Sequence, residues 1–456
     1  MQIIIKNFGP IERFAYDLDK NLIITYGNNN IGKSYSMQIV YLLLKTFIKN
    51  APPVFNIGLM SFISEDILRK IAAVMDSFSK SDQDEIEITA EINDIVFSIF
   101  TSLFMNSFID SCKNTFGNFN HIVEKNPEIV LTEDNLRLEI NLSKNTVGGK
   151  MSDYPLYLHK TADVHFDVKD DGNKKIIYFS DSADKTSKAI LDTIHGMLKG
   201  SINKIISRYK DVYFLPASRS GIYSGMNSLS PIIAELSKRR NYLTKPIQLP
   251  GLSEPISDYF ISLSNINSRE NEEFAGFYNE IEENILQGKV AFDKNKNALL
   301  YKPVNAKDAF QMTEVSSMVS EISPIVAFLK YILSNSDSSK IQSKHILFIE
   351  EPEAHLHPQN QIALITVFAN LIKADIQLIM SSHSNYIFNK LNNLILGREL
   401  DYRDYEPILL QEVIHGSVSK ILEIDELGAS DENFIDTSEA LMAEREEIIE
   451  KLNTEE

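Results

Sequence analysis

The sequence predicts an α/β protein built on a parallel sheet and interrupted by two insertions of different character. Three observations carry that expectation. Residues 1–48 read as short strands, a glycine-bounded loop and a helix, while the final third alternates apolar strands with helices. Between these regions the spacing of apolar residues changes twice, which marks inserted segments with their own secondary structure.

The elements follow in order. Gln2 to Ile5, Phe14 to Leu18 and Leu22 to Tyr26 are short apolar runs, and the third runs straight into Gly27. Tyr35 to Ile48 places Met37, Val40, Tyr41, Leu44 and Phe47 at helical spacing, and Pro52 and Pro53 close that helix. Residues 51–210 read as an α+β insertion, with a helical stretch from Ile57 to Phe78 and alternating segments at Ile129 to Leu142 and at Val164 to Phe179, the last around an Asp171-Gly172 turn. Residues 211–305 read as a helical and hairpin insertion, with a Glu-rich stretch around Glu280 and a hairpin signal at Asp293 to Asn297. Neither insertion sustains heptads, so no long coiled coil is expected. Residues 306–430 return to order with a helix near Ser323 to Leu333, a strand at Ile346 to Ile349, a helix from Pro358 to Ala374 and a strand at Ile376 to Met380. With residues 1–50 they form the expected core. Residues 431–456 hold ten acidic and two basic side chains and read as a solvated acidic helix.

Composition narrows the function classes. A chain of 456 residues accommodates two or three domains, and 43% apolar with 24% charged residues is the balance of a soluble folded protein. Forty-five basic against sixty-three acidic side chains give a net charge of −18, so attraction to nucleic acid or anionic lipid is excluded as a whole-molecule property. Such binding needs a local basic surface; the triplet Lys238, Arg239, Arg240 is the candidate, and a solvated helix end explains it as well. Cys112 is the only cysteine, which excludes an internal disulfide and a cysteine metal cluster. Met1 to Ile11 reads as a strand and turn, not a secretory signal, so a cytoplasmic location is expected. Ile95 to Ile109 is the most apolar stretch, but Ser98, Thr101, Ser102, Asn106 and Ser107 interrupt it and it is short for a bilayer; a buried helix, and no membrane partner, is expected.

Three motifs carry chemistry. Gly27, Asn28, Asn29, Asn30, Ile31, Gly32, Lys33 and Ser34 match GxxxxGK(S/T) between a strand and a helix. In that setting backbone N–H groups and the helix N-terminus face phosphates, Lys33 sets a point charge on them, and Ser34 can ligate Mg2+. Ile346 to Ile349 is a wholly apolar strand ending in Glu350 and Glu351, which places two carboxylates at the ligand edge of a sheet: one to hold Mg2+, its neighbour to orient or deprotonate water. Ile376 to Met380 ends in Ser381, Ser382, His383, Ser384, where a histidine can reach the terminal phosphate or the water. His355 and His357 can be read with Glu351 as metal ligands or, after the Pro352 turn, as a subunit contact.

The order and spacing of these elements, and above all the string Ile349 to Pro358 followed by Ser381 to Ser384, resemble the ABC-class ATPase heads of the SMC type, most closely the overcoming-lysogenization-defect (OLD) family and related prokaryotic defence ATPases of Septu and PARIS kind. The resemblance covers residues 1–48 and 310–400. It implies an ABC-type head with a mixed sheet, ATP and Mg2+ as ligands, Glu350 on the magnesium, Glu351 as catalytic base, the Ala354 to Pro358 turn facing a partner subunit, and His383 sensing the γ-phosphate. It also implies a signature segment that contacts the partner's ATP. Val315 to Glu321 lies in the right place with Ser316 and Ser317, but Met318 stands where glycine is usual, so slow hydrolysis or an atypical dimer follows. Phe214 to Ser220 resembles a further segment of these ATPases, in which Arg219 is expected to touch nucleotide or couple lobes, or to be salt-bridged after a strand.

No Asp-x-Asp follows His383, so a TOPRIM nuclease is not expected within this chain. The resemblance implies a homo-oligomer assembled through its heads, a separately encoded effector nuclease of HNH or TOPRIM type, and nucleic acid or a phage-encoded trigger as the signal. The alternatives are an ATP-gated scaffold whose hydrolysis is incidental, and a DNA-repair or chromosome-maintenance ATPase of SMC/RecF-like kind.

Overall fold

Strand formation at the N-terminus follows from alternation: Ile3 and Ile5 are fully buried between the less buried Gln2, Ile4 and Lys6, until Asn7 at φ 54° breaks the pattern and Phe8 is buried in turn. The computed structural model describes residues 1–56, 65–150, 155–160, 168–170, 174–179, 183–225, 251–266, 269–333, 343–431 and 441–449. In chain order these hold β1 (Gln2–Phe8), β2 (Ile11–Asp17), β3 (Leu22–Tyr26), α1 (Lys33–Asn56), α2 (Glu65–Ser79), β4 (Glu85–Glu87), α3 (Thr89–Thr115), α4 (Phe119–Glu124), β5 (Glu128–Glu133), β6 (Leu136–Asn141) and β7 (Thr146–Lys150). Then come β8 (Leu156–Lys160), β9 (Val168–Asp170), β10 (Lys175–Phe179), α5 (Ala183–Ile206), β11 (Tyr209–Leu215), α6 (Glu254–Ser264), α7 (Ala275–Ile281), β12 (Gly288–Asp293), β13 (Ala298–Pro303) and β14 (Phe310–Gln311). The rest is α8 (Ser317–Ala327), β15 (Lys344–Glu350), α9 (Pro358–Leu371), β16 (Ile376–Ser381), α10 (Asn385–Leu396), β17 (Tyr405–Val413) and β18 (Gly416–Ile421). The Lys238 to Arg240 triplet and the Asp171-Gly172 turn lie outside the described residues, as does most of the acidic tail; residues 441–449 are helical and exposed.

The chain divides into two compact units, Met1–Leu18 with Ile39–Asp211, and Asp19–Gln38 with Val212–Glu456. In the first unit β1 pairs antiparallel with β2 on one edge and with β5 on the other, Ile3 opposite Leu131, so the N-terminal strands join the inserted residues. β6 and β7 extend that antiparallel sheet. The long helix α3 is apolar enough to cross a membrane by length and composition, but it is a core helix here: Phe100, Phe104 and Phe108 pack ring against ring in series and Phe47 of α1 lies 4.4 Å from the Phe104 ring. A second small sheet in this unit runs β4-β8-β10-β9.

The second unit holds a mixed sheet in the order β11-β15-β16-β3-β17-β18. Its four central strands are parallel, and β18 returns antiparallel to β17. Every residue of β3 and β16 is buried, as is β15 after Lys344, which is why these strands read as unbroken apolar runs. Among the described residues of 211–305, Tyr259, Tyr278 and Ile281 share one hydrophobic core with Ile24, Leu347 and Leu378.

Register sets the functional edge. Glu350 pairs with Ser381, and Ser381 with Thr25, so one row across three parallel strands carries the chain ends of β15, β16 and β3. Beyond that row lie Glu351, His383 and the loop that starts at Gly27, all on the carboxyl side of the strands where ligands of parallel sheets bind.

Candidate functional site: the phosphate loop and the carboxylate edge

The loop after β3 is shaped by its glycines. Gly27 has φ +132°, and a Cβ there would meet the Leu410 carbonyl oxygen at 2.5 Å and Ile31 Cδ1 at 2.9 Å, so only glycine fits. Gly32 has φ 109° and Asn30 φ 63°, which turn the chain back into α1. The Ser417 hydroxyl donates to the Ile31 carbonyl at 2.6 Å and pins the loop from β18. Asn28, Asn29, Asn30 and Ser34 are exposed, whereas Lys33 is buried. Its Nζ donates to the carbonyls of Gly27 at 2.9 Å and Asn28 at 2.6 Å, closing the loop on itself. Burial lowers the Lys33 ammonium to a pKa of about 8, against the pull of Glu351 and Glu353.

At the end of β15 the two adjacent carboxylates occupy unlike environments. Glu350 is buried; Oε2 accepts the Ala217 N–H at 3.1 Å, while Oε1 is buried without a hydrogen-bond partner. Burial raises the Glu350 pKa, and the Ala217 N–H and Ser34 hydroxyl oppose that rise. A buried orphan carboxylate oxygen next to the loop serine is what a Mg2+ site made of Ser34 and Glu350 requires, so the residues fit that ion. Glu351 has a left-handed backbone with φ 42° and a half-exposed side chain, whose Oε1 lies 3.7 Å from His383 Nε2. Burial and the Lys33 charge both lower the His383 pKa, with Glu351 acting the other way. Glu351 and His383 together can orient a water and handle its proton.

The fold places three further groups singled out in the sequence. Arg219 is fully buried with its donors on the backbone carbonyls of Pro216, Glu350, Glu351 and Glu321, and its Nε is 3.5 Å from Glu321 Oε2. It therefore positions the carboxylate strand and is not presented to a nucleotide. His355 and His357 are exposed; His357 Nδ1 accepts the Gln359 N–H and caps α9, and no group of metal-ligating residues occurs among the described residues, so the metal reading of this pair fails. Ser316 and Ser317 stand exposed at the N-terminus of α8, where Ser316 caps the helix through Val319. They are not joined to the Gly27–Ser34 loop by any described hydrogen bond. Met318 packs on the core, and its Sδ accepts from Asn360 Nδ2 at 3.1 Å.

Two acids carry more of the site than their place in the sequence suggests. Glu353 Oε1 accepts the His383 N–H at 2.6 Å and the Ser382 hydroxyl at 2.8 Å, so it holds the turn that presents His383. Burial raises its pKa, and these donors oppose the rise. Glu321 is buried on α8 and takes both the N–H and the hydroxyl of Ser220 on Oε1. Its sequence signal is a lone acid in an otherwise apolar helix, which calls for a buried partner.

Two solved structures align over 93% of this chain and 98% of theirs: an SMC head bound to the C-winged helix domain of ScpA, at 12% identity and TM-score 0.35, and the SMC head domain from Thermotoga maritima, at 9% identity and TM-score 0.33. No curated protein matches. The AAA ATPase domain family model matches residues 1–388, which take in the glycine loop, both carboxylates and His383; this chain belongs to that family.

Proposed function

We propose that this protein binds ATP with Mg2+ and hydrolyses it slowly, as an ABC/OLD-like ATPase that assembles through its heads in the cytoplasm and controls a separate effector nuclease in anti-phage defence. The observation that carries the ATPase reading is the single edge on which Lys33, the orphan oxygen of Glu350, and the Glu351–His383 pair meet. The loop N–H groups and Lys33 bind the phosphates, and Ser34 and Glu350 would hold Mg2+, whose chemistry there would be charge stabilisation of the phosphates. Glu351 takes the proton of the attacking water, and His383 fixes its position. Head-to-head assembly and control of an effector rest on the sequence resemblance, with the exposed Ser316 and Ser317 at a helix N-terminus as the surface offered to a second nucleotide. Met318, packed between two helix ends, keeps the backbone there from close approach and is the reason for slow turnover.

The test separates binding, chemistry and assembly. Lys33→Ala abolishes binding of a fluorescent ATP analogue, and Glu351→Gln binds it but releases no phosphate. Native mass of Glu351→Gln rises on adding Mg-ATP. Normal turnover by Glu351→Gln would remove the assigned base, and a mass unchanged by Mg-ATP would remove nucleotide-driven assembly.

A further inference from the structure

The structure assigns to Arg219 and Glu321 a joint role: this buried pair couples the N-terminal end of α8 to the aim of Glu351, so that movement of α8 sets whether the catalytic carboxylate is in position. This deepens the ATPase reading of the site and rests on it.

The argument begins with the backbone. At the end of β15 the chain leaves the sheet through Glu351, whose φ of 42° is unfavourable for a residue with a Cβ. Such a conformation persists only where neighbours over-determine it. Here the Arg219 guanidinium supplies the restraint: Nη1 donates to the Glu350 carbonyl at 2.8 Å and Nη2 to the Glu351 carbonyl at 3.3 Å, one planar group bridging the two peptides that define the turn. Ser381 holds the Glu351 N–H from the other side at 3.1 Å. Rotation of the Glu351 peptide, which would swing its carboxylate away from His383, therefore requires Arg219 to move.

Arg219 in turn is fixed by α8. Its Nε donates to the Glu321 carbonyl at 3.0 Å, and Glu321 Oε1 takes the Ser220 hydroxyl at 2.6 Å. Both side chains of the pair are essentially inaccessible, at 0% and 1% exposure, so water cannot replace either partner and the link is stiff. Glu321 lies five residues beyond Ser316, about 7 Å along the helix axis at the usual rise per residue. The exposed serine end and the buried acid thus move as one rigid piece. Pro324 follows within the helix and cannot donate to the Ser320 carbonyl one turn back, which makes this the point at which the first segment can bend against the remainder. A second contact reports on the same motion, because Met318 meets Asn360 just past the Ala354 to Pro358 turn. One helix end therefore bears on both sides of the Glu350–Pro358 segment.

The experiment compares Arg219→Lys and Glu321→Gln with the unaltered chain. Lysine keeps the charge but cannot bridge two carbonyls; glutamine keeps the volume and loses the ion pair. Both variants are expected to bind the fluorescent ATP analogue within about threefold of the parent while turnover falls about tenfold or more, the effect of losing a charge-assisted hydrogen bond that bears only on the chemical step. The double variant is expected to be no slower than the slower single one, since the pair acts as a unit. Turnover equal to the parent in both single variants would overturn the coupling, and so would parallel loss of binding and turnover, the mark of a merely structural role. If Arg219→Lys fails to fold, the isosteric Glu321→Gln decides alone. Failure of the ATPase reading itself looks different: the parent would then release no phosphate above background, whereas failure of the coupling leaves the parent active and stopped by Glu351→Gln.

Discussion

The Lys33 ammonium offers the sharpest quantitative test of the loop. Its pKa of about 8 arises because burial disfavours the charge more than Glu351 and Glu353 favour it. With no nucleotide phosphate nearby, roughly a tenth of the chains carry neutral Lys33 at pH 7, about half at pH 8 and about nine tenths at pH 9. A bound triphosphate restores the charged form, so binding draws in that fraction of a proton from solution. Apparent affinity for ATP is then nearly flat below pH 7 and falls toward tenfold, about 1.4 kcal/mol, per pH unit above pH 8. The nucleotide does not confound this, since a terminal phosphate loses its last proton near pH 6. Calorimetric titration in two buffers of different ionisation enthalpy reads the proton uptake directly. Zero uptake at pH 8 to 9, with a dissociation constant that does not change, would refute the argument that burial holds Lys33 poised to titrate. The linkage also fixes a sign for stability. A lysine depressed in the folded state leaves the unfolded chain holding more protons between about pH 8 and its ordinary 10.5, so this group makes the nucleotide-free protein more stable as pH rises through that window.

Two further substitutions test the parts around it. Glu353→Ala removes the acceptor for the His383 N–H and the Ser382 hydroxyl, two short bonds to one carboxylate; we expect phosphate release to fall about tenfold or more and melting to drop by a few degrees, with nucleotide affinity little changed. Retained phosphate release would show that His383 needs no such support. Gly27→Ala forces a Cβ to 2.5 Å from the Leu410 carbonyl oxygen at φ +132°, so a stability loss of about 1–3 kcal/mol and failure to bind the ATP analogue are expected in denaturation and binding measurements. Wild-type binding by this variant would mean that the loop is not held by its glycines.

The two halves of the site were unequally legible in the sequence, and the reason is physical. The loop declares itself because its geometry is carried by local backbone constraints: Gly27 and Gly32 sit at positive φ within eight residues of one another, and β3 and α1 flank them. The apolar strands β15 and β16 were equally plain, since burial on both faces leaves no polar alternation to mistake. The N-terminal strands were readable as strands but not as partners of β5, because the Ile3 to Leu131 pairing spans a long stretch of chain with no local trace. Arg219 shows the limit most clearly. A Ser-Arg pair after a strand reads equally as a nucleotide contact or as a salt-bridged arginine, and only Glu321, 102 residues away in sequence and brought alongside by the fold, decides for the buried brace. Glu353 was likewise visible as an acid and silent as a support, for its donors come from the following strand's end. The loop is thus fixed by conformational restriction, and the carboxylate edge by three buried or half-buried polar side chains from separate elements. It follows that the edge can be disarmed without disturbing the loop: a change at Arg219 or Glu321 alters where Glu351 points and leaves the phosphate cradle as it was. An ATPase built this way can hold nucleotide in one state and hydrolyse it in another, with only the brace changing between them.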